Sequence, residues 1–194
     1  MQDDYPLLHE VKACRLCLHS LPHEPRPVLQ WHPSAKILLA GQAPGRKVHE
    51  SGQPFTDASG ERLRGWLGIG VEDFYDAQKL AIVPMGLCYP GTGKAGDLPP
   101  RSECAPQWRE RLLAPLINVR LTLLIGQYAQ AYHLPGGKQS VTDAVGNWRA
   151  YWPGMVPLPH PSPRNNRWLK QNPWFEAELL PVLRAQISHV LAGF

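Results

Sequence analysis

The stretch Lys36-Ile37-Leu38-Leu39-Ala40-Gly41-Gln42-Ala43-Pro44-Gly45 decides the fold. A short apolar run that stops at a Gly/Pro turn is the pattern of a buried strand. Such a turn leaves backbone N–H groups at the carboxyl end of the strand, where open α/β sheets bind their ligands. A second run, Gly154-Met155-Val156-Pro157-Leu158, leads into the loop His160-Pro161-Ser162-Pro163-Arg164-Asn165-Asn166. We expect the two loops to face each other across one pocket.

Working outward, Leu80-Ala81-Ile82-Val83 and Leu121-Thr122-Leu123-Leu124-Ile125 read as two further strands. Pro157 suits a strand with one free edge. Between the strands, Ser59 to Leu67 has helical spacing, with Leu63, Trp66 and Leu67 on one face and Asp57 or Ser59 as its cap. Helices are also expected over Leu7–Leu18, Ala105–Ile117 and Gln127–His133. A C-terminal helix should start at Asn172-Pro173 and be kinked or split at Pro181. His19 to Pro33, Arg46 to Gly52 and Tyr89 to Pro100 read as loops, the last of them mobile. Strands alternating with helices argue for a parallel sheet covered on both faces. We therefore expect an α/β fold, and a single domain over 1–194.

The net charge is +4, a modest bias toward polyanions. No apolar run is long enough to span a bilayer. The opening Met1-Gln2-Asp3-Asp4-Tyr5 is polar and acidic and does not resemble a signal peptide, so a cytoplasmic location is expected.

Four cysteines occur. Cys14 and Cys17 form C-x-x-C, and Cys88 and Cys104 follow Cys17 by 71 and 87 positions. In a reducing compartment a metal site is a better reading than disulfides. Four thiolates suit either tetrahedral zinc or a cubane iron–sulfur cluster, and spacing alone does not separate them. On either reading the site ties the N-terminal segment to the connection after the second strand.

Taken together, these motifs resemble those of the uracil-DNA glycosylase superfamily, and most closely its iron–sulfur family-4 type. The matching features are Gly41 to Gly45, Gly52-Gln53-Pro54-Phe55, the four cysteines and His160-Pro161-Ser162, in order and at matching separations. The extension Pro163-Arg164-Asn165 is similar to the single-strand-selective monofunctional branch. The resemblance implies a three-layer αβα sandwich around a central four-stranded parallel sheet. It implies a [4Fe–4S] cluster on Cys14, Cys17, Cys88 and Cys104, with structural zinc as the alternative. It also implies cleavage of the N-glycosidic bond of a flipped-out base in DNA.

From this follow expected roles. Phe55 is the stacking platform for the base. His160 donates to the base carbonyl that gains negative charge. The N–H groups of Gln42 and Ala43 contact the base or hold the water. Gly41, Gly45, Pro84, Met85 and Gly86 line the base site, and Ser162, Arg164 and Asn165 meet phosphates or fill the gap left by the base. His49 reads as a surface residue.

Two positions depart from the family pattern. The family's glutamate in the first motif is Gln42 here, and an amide hydrogen-bonds but does not act as a base. The family's base-reading asparagine, four residues before the third cysteine, is Pro84. Two readings follow: backbone groups of Met85 or Gly86 substitute for it, or the target is another lesion such as hypoxanthine. Gly45 stands where other branches carry a bulky residue, which leaves room for a larger base. No lysine is evident for a Schiff base, so a monofunctional enzyme acting as a monomer without a protein partner is expected. The rival expectations are a DNA-binding fold-mate without turnover, and a pocket for free nucleosides or nucleotides.

Overall fold

A computed structural model describes residues 5–94 and 96–193. Met1 to Asp4, most of the segment behind the cytoplasmic expectation, lie outside the described residues. In chain order the elements begin with α1 (Pro6–Lys12), β1 (Ile37–Ala40), α2 (Arg46–Ser51), α3 (Ala58–Leu67), α4 (Val71–Tyr75) and β2 (Leu80–Ile82). A small hairpin follows, β3 (Thr92–Gly93) and β4 (Gly96–Asp97), then α5 (Cys104–Leu113), β5 (Leu121–Ile125), α6 (Gly126–His133) and α7 (Val141–Gly146). The chain closes with β6 (Met155–Leu158), α8 (Asn166–Gln171), a π turn over Phe175–Leu179 and α9 (Leu180–Ala192).

Strands β2, β1, β5 and β6 form one parallel sheet in that order, and β3 and β4 pair antiparallel. Successive side chains of a strand point to opposite faces. Ile37 and Leu39 accordingly join Leu63, Phe74, Phe175 and Leu183 in one core, while Leu38 packs with Trp31, Trp108 and Leu112 in another. Helices therefore cover both faces of the sheet, the α/β arrangement expected.

Both edges of the sheet are blunted. On the β2 side, Gln30 exchanges backbone hydrogen bonds with Ile82 at 3.0 and 2.8 Å, and its side chain donates to the Phe74 and Leu80 carbonyls. On the other side, β6 carries Pro157, which has no N–H to offer.

Several expected elements shift. Helix α1 stops at Lys12, so Cys14 and Cys17 lie in a turn and not on a helix. Beyond it Leu16 is 57% exposed, so the segment has no apolar face to bury. Helix α5 ends before Pro115, short of the expected Ile117. Arg46–Ser51 is helical where a loop was expected. Gly52 closes it in the left-handed region at φ 75°, and Arg26 takes the His49 and Glu50 carbonyls at 2.6 and 2.8 Å. The expected mobile loop 89–100 contains the β3–β4 hairpin. The C-terminal helix divides at the π turn, which leaves Pro181 in the tolerated first turn of α9. Helices α4, α7 and α8 carry too few apolar positions to stand out in the sequence.

Candidate functional site

At the carboxyl ends of the four parallel strands lies a cleft of about 550 Å³. Gly41 to Gly45 form one wall, and His160 and Arg164 the opposite one. Pro84 and Ile125 contribute from the ends of β2 and β5, and Phe55 from the segment before α3. The two loops singled out in the sequence do share one cavity.

Phe55 is the one non-glycine residue with positive φ among the described residues, at 54°. A side chain held there costs about 1–3 kcal/mol unless the surroundings fix it. Here they do. Its carbonyl accepts from Tyr75 Oη at 3.1 Å and Arg64 Nη1 at 3.4 Å. Its ring stands edge-on to Phe74 at 6.0 Å. Gly60 permits this packing, because a Cβ there would fall 1.8 Å from the Phe55 oxygen. The free rim of the ring reaches Gly41, whose Cβ, if present, would lie 4.0 Å from Phe55 Cζ.

His160 is half-buried. Its Nδ1 accepts from the Ser162 N–H at 3.2 Å, so the neutral ring carries its proton on Nε2. Burial is the first cause that lowers its pKa. Asp57 and Asp97 push it back up, and Arg164 adds to the lowering. The ring is thus a neutral N–H donor on the cleft wall.

The remaining loop residues divide. Asn165 donates to the His160 carbonyl at 2.7 Å, and the Ser162 hydroxyl accepts from the Arg164 N–H at 3.3 Å. Ser162 and Asn165 bond within their own loop and do not line the cleft, whereas Arg164 does. Its guanidinium lies across Gly96, where a Cβ would meet Nη1 at 2.1 Å.

In the first motif, Gln42 and Ala43 both line the cleft. The Gln42 amide donates to the Leu98 carbonyl at 3.0 Å and so moors the β3–β4 hairpin. Met85 N–H and Gly86 N–H bond to the carbonyls of Gly41 and Gln42 at 2.9 Å each. Those two donors are committed to the main chain, and neither residue lines the cleft, so they are corrected as substitute base readers. Ala43 and Pro84 do line it. The space left by Gly45 is faced by the Asp97 carboxylate, 3.3 Å from where a Cβ would stand.

Among the cleft residues that escaped sequence reading, three bear on the chemistry. Asp57 lines the cleft while accepting from the Gly60 N–H at 3.2 Å as the cap of α3. Asp97 arrives from the hairpin, its Oδ1 accepting from the Thr92 hydroxyl at 3.2 Å. The motif lacks a carboxylate, but the cleft has two. Lys47 on α2 also lines the cavity, at an exposed position. Two residues beyond Phe55 was a clue for Asp57; nothing local marks Asp97. His49 is not a bare surface residue. Half-buried outside the cleft, its ring lies 5.4 Å from His23 and 5.9 Å from Tyr89.

Behind the cleft, Cys14, Cys17, Cys88 and Cys104 line one small cavity of about 20 Å³ with Leu87 and Trp108. Trp108 Nε1–H donates to Cys14 Sγ at 3.3 Å, and Leu87 N–H to Cys104 Sγ at 3.3 Å. Burial pushes the Cys88 thiol up to about 12 and the Cys104 thiol up to about 11. Among the described residues no three His, Cys, Asp or Glu side chains stand close enough to hold a single ion. The donor set is four sulfurs around one space, two already accepting N–H bonds. Its chemistry fits a thiolate-bound metal group.

A sequence model described as the uracil DNA glycosylase superfamily matches residues 30–184. The type-4 uracil-DNA glycosylase of Thermotoga maritima is 27% identical over 159 residues, covering 78% of this chain and 78% of that protein. With the family match extending over most of its length and its four strands in one parallel sheet, the chain belongs to the uracil-DNA glycosylase superfamily.

Proposed function

We propose that the protein is a monofunctional DNA glycosylase that hydrolyses the N-glycosidic bond of a deaminated or damaged base flipped out of the strand. The observation that carries this reading is a single cleft lined by both the Phe55 ring and the His160 imidazole. An aromatic face holds a flipped base with about 1–3 kcal/mol of stacking.

As the C1′–N bond breaks, its electron pair stays with the base and positive charge builds on the sugar. The His160 Nε2–H stabilises the departing base at a carbonyl oxygen. Asp57 and Asp97 supply the negative charge that Gln42 cannot. One of them accepts the proton of the water that attacks C1′, and solvent protonates the released base. Arg164 and the exposed Lys47 contact the phosphates. Cys14, Cys17, Cys88 and Cys104 hold a [4Fe–4S] cluster whose part is structural. The resemblance to the iron–sulfur family-4 type supports that assignment, as does the spread of the sulfurs, no three of which stand close enough to hold a single ion among the described residues.

Base release from oligonucleotides carrying uracil, hypoxanthine or xanthine tests the reading. Activity on at least one, lost in His160→Ala, is expected. Binding without release in all three would favour the fold-mate without turnover, a reading helped by the tethered Gln42 amide. A covalent adduct trapped by borohydride would overturn the monofunctional assignment and point to Lys47. A visible charge-transfer band separates the cluster from colourless zinc.

A further inference from the structure

Arg109 on α5 is 2% exposed, yet among the described residues no carboxylate pairs with it. Its Nη1 donates to the carbonyls of Val83 and Pro84 at 3.1 and 3.3 Å. Its Nε donates to His133 Nε2 at 3.1 Å, and its guanidinium lies over the Tyr132 ring at 5.2 Å. His133 is a neutral acceptor, since burial and the guanidinium push its pKa down to about 4. The acidic side chains that act on Arg109 are the Tyr132 phenol and the Cys104 thiol, the latter five residues earlier on α5. Of the other guanidinium groups near the cysteines, Arg101 is paired with Glu103 at 2.7 Å and Arg15 donates to the Cys14 carbonyl at 3.0 Å.

A buried charge without a counter-charge is strongly destabilising. Four thiolates around one zinc ion or one [4Fe–4S] core carry a net negative charge. Cys104 opens α5 and Arg109 lies five residues along it, so a thiolate-bound group and the buried cation share one helix. The same guanidinium holds the carbonyls of Val83 and Pro84, and Pro84 is a wall of the cleft.

We propose that Arg109 is a positioning residue that joins the two sites. The thiolate-bound group at Cys14, Cys17, Cys88 and Cys104 balances its charge, and its paired hydrogen bonds hold the Val83–Pro84 turn against the cleft. The inference rests on the metal reading above, but not on which metal is held. Loading the metal site therefore steadies the cleft wall, and removing the metal loosens it.

The test compares full-length wild type and Arg109→Met, each as isolated with metal and after chelator stripping. The thermal midpoint of wild type should fall on stripping, and that fall should be clearly smaller in Arg109→Met, whose stripped form buries no orphan cation. If the protein is coloured, the midpoint potential of the variant should move to more negative values, because a cation no longer favours the reduced state. Base release by the loaded variant should drop about 10-fold or more in kcat through displacement of Pro84. Equal falls on stripping, or an unmoved potential, would overturn the proposal. Wild type isolated without metal would instead overturn the metal reading, and loaded wild type without base release would overturn only the glycosylase reading. Should Arg109→Met not fold, Arg109→Lys decides. With the cation kept and the fork lost, the wild-type fall on stripping should persist while kcat drops; a reduced fall there sinks the coupling.

Discussion

The segment Pro84–Cys88 has two ends with opposite characters. At one end is a cleft of about 550 Å³ whose shape is set by main-chain geometry. Phe55 is locked by Tyr75, Arg64 and the bare Gly60, and His160 by Ser162 and Asn165. At the other end is a cavity of about 20 Å³ lined by four buried or half-buried thiols. The difference is one of preorganisation. The cleft reaches its form from the chain's own hydrogen bonds, whereas the cysteine cavity gathers four sulfurs, two of which accept N–H bonds.

The sharpest way to break this contrast is to remove two of the four sulfurs. Structural metal sites contribute about 10 kcal/mol to the folding of small domains. Cys88→Ser with Cys104→Ser should therefore abolish metal uptake and cost more stability than any single cleft change, as read by metal analysis and thermal melting. Next comes the cleft's own donor. His160→Ala should lower kcat for base release by about 10²–10³-fold with little change in melting temperature. A large stability loss instead would mean that the ring is structural.

Gly60→Ala probes the locked geometry. Its methyl would strike the Phe55 carbonyl, and the cost should be about 1–3 kcal/mol together with loss of base binding. Of similar or smaller size is an effect of pH near the shared segment. His133 titrates near 6.5 unfolded and about 4 folded, so the unfolded chain binds the extra proton between those values. Stability is fully present above about pH 6.5 and is lost as pH falls toward 4, by on the order of 1–3 kcal/mol. His133→Gln should flatten that limb of the denaturation profile. Smallest, Asp57→Ala should remove the cap of α3 for about 1 kcal/mol and move the His160 titration, followed by NMR, to lower pH.

The four strands and the two terminal loops were legible because each is a local signal, an apolar run halted by Gly or Pro. Helix α2 was not, since Val48 is its one buried residue and its end is made by Arg26, twenty residues upstream of Arg46. The site was legible in the same measure. Phe55, His160 and the cysteines sit in short motifs, and the structure gathers them around the cleft and the cavity. Asp97 comes to Gly45 across fifty-two positions, and Gln42 finds Leu98 across fifty-six. Arg109 meets Val83 and Pro84 across twenty-six and twenty-five positions. Contacts that far apart leave no periodicity to read.

The blunted margins of the sheet carry a consequence for handling the protein. An open strand invites a second chain to add itself, and repetition of that step yields fibres. Gln30 already occupies the β2 side, and Pro157 removes a donor from β6. Concentrated solutions should therefore resist growth by strand addition even while heating loosens the helices, and seeding assays on Pro157→Val would reveal how much of that resistance one ring provides.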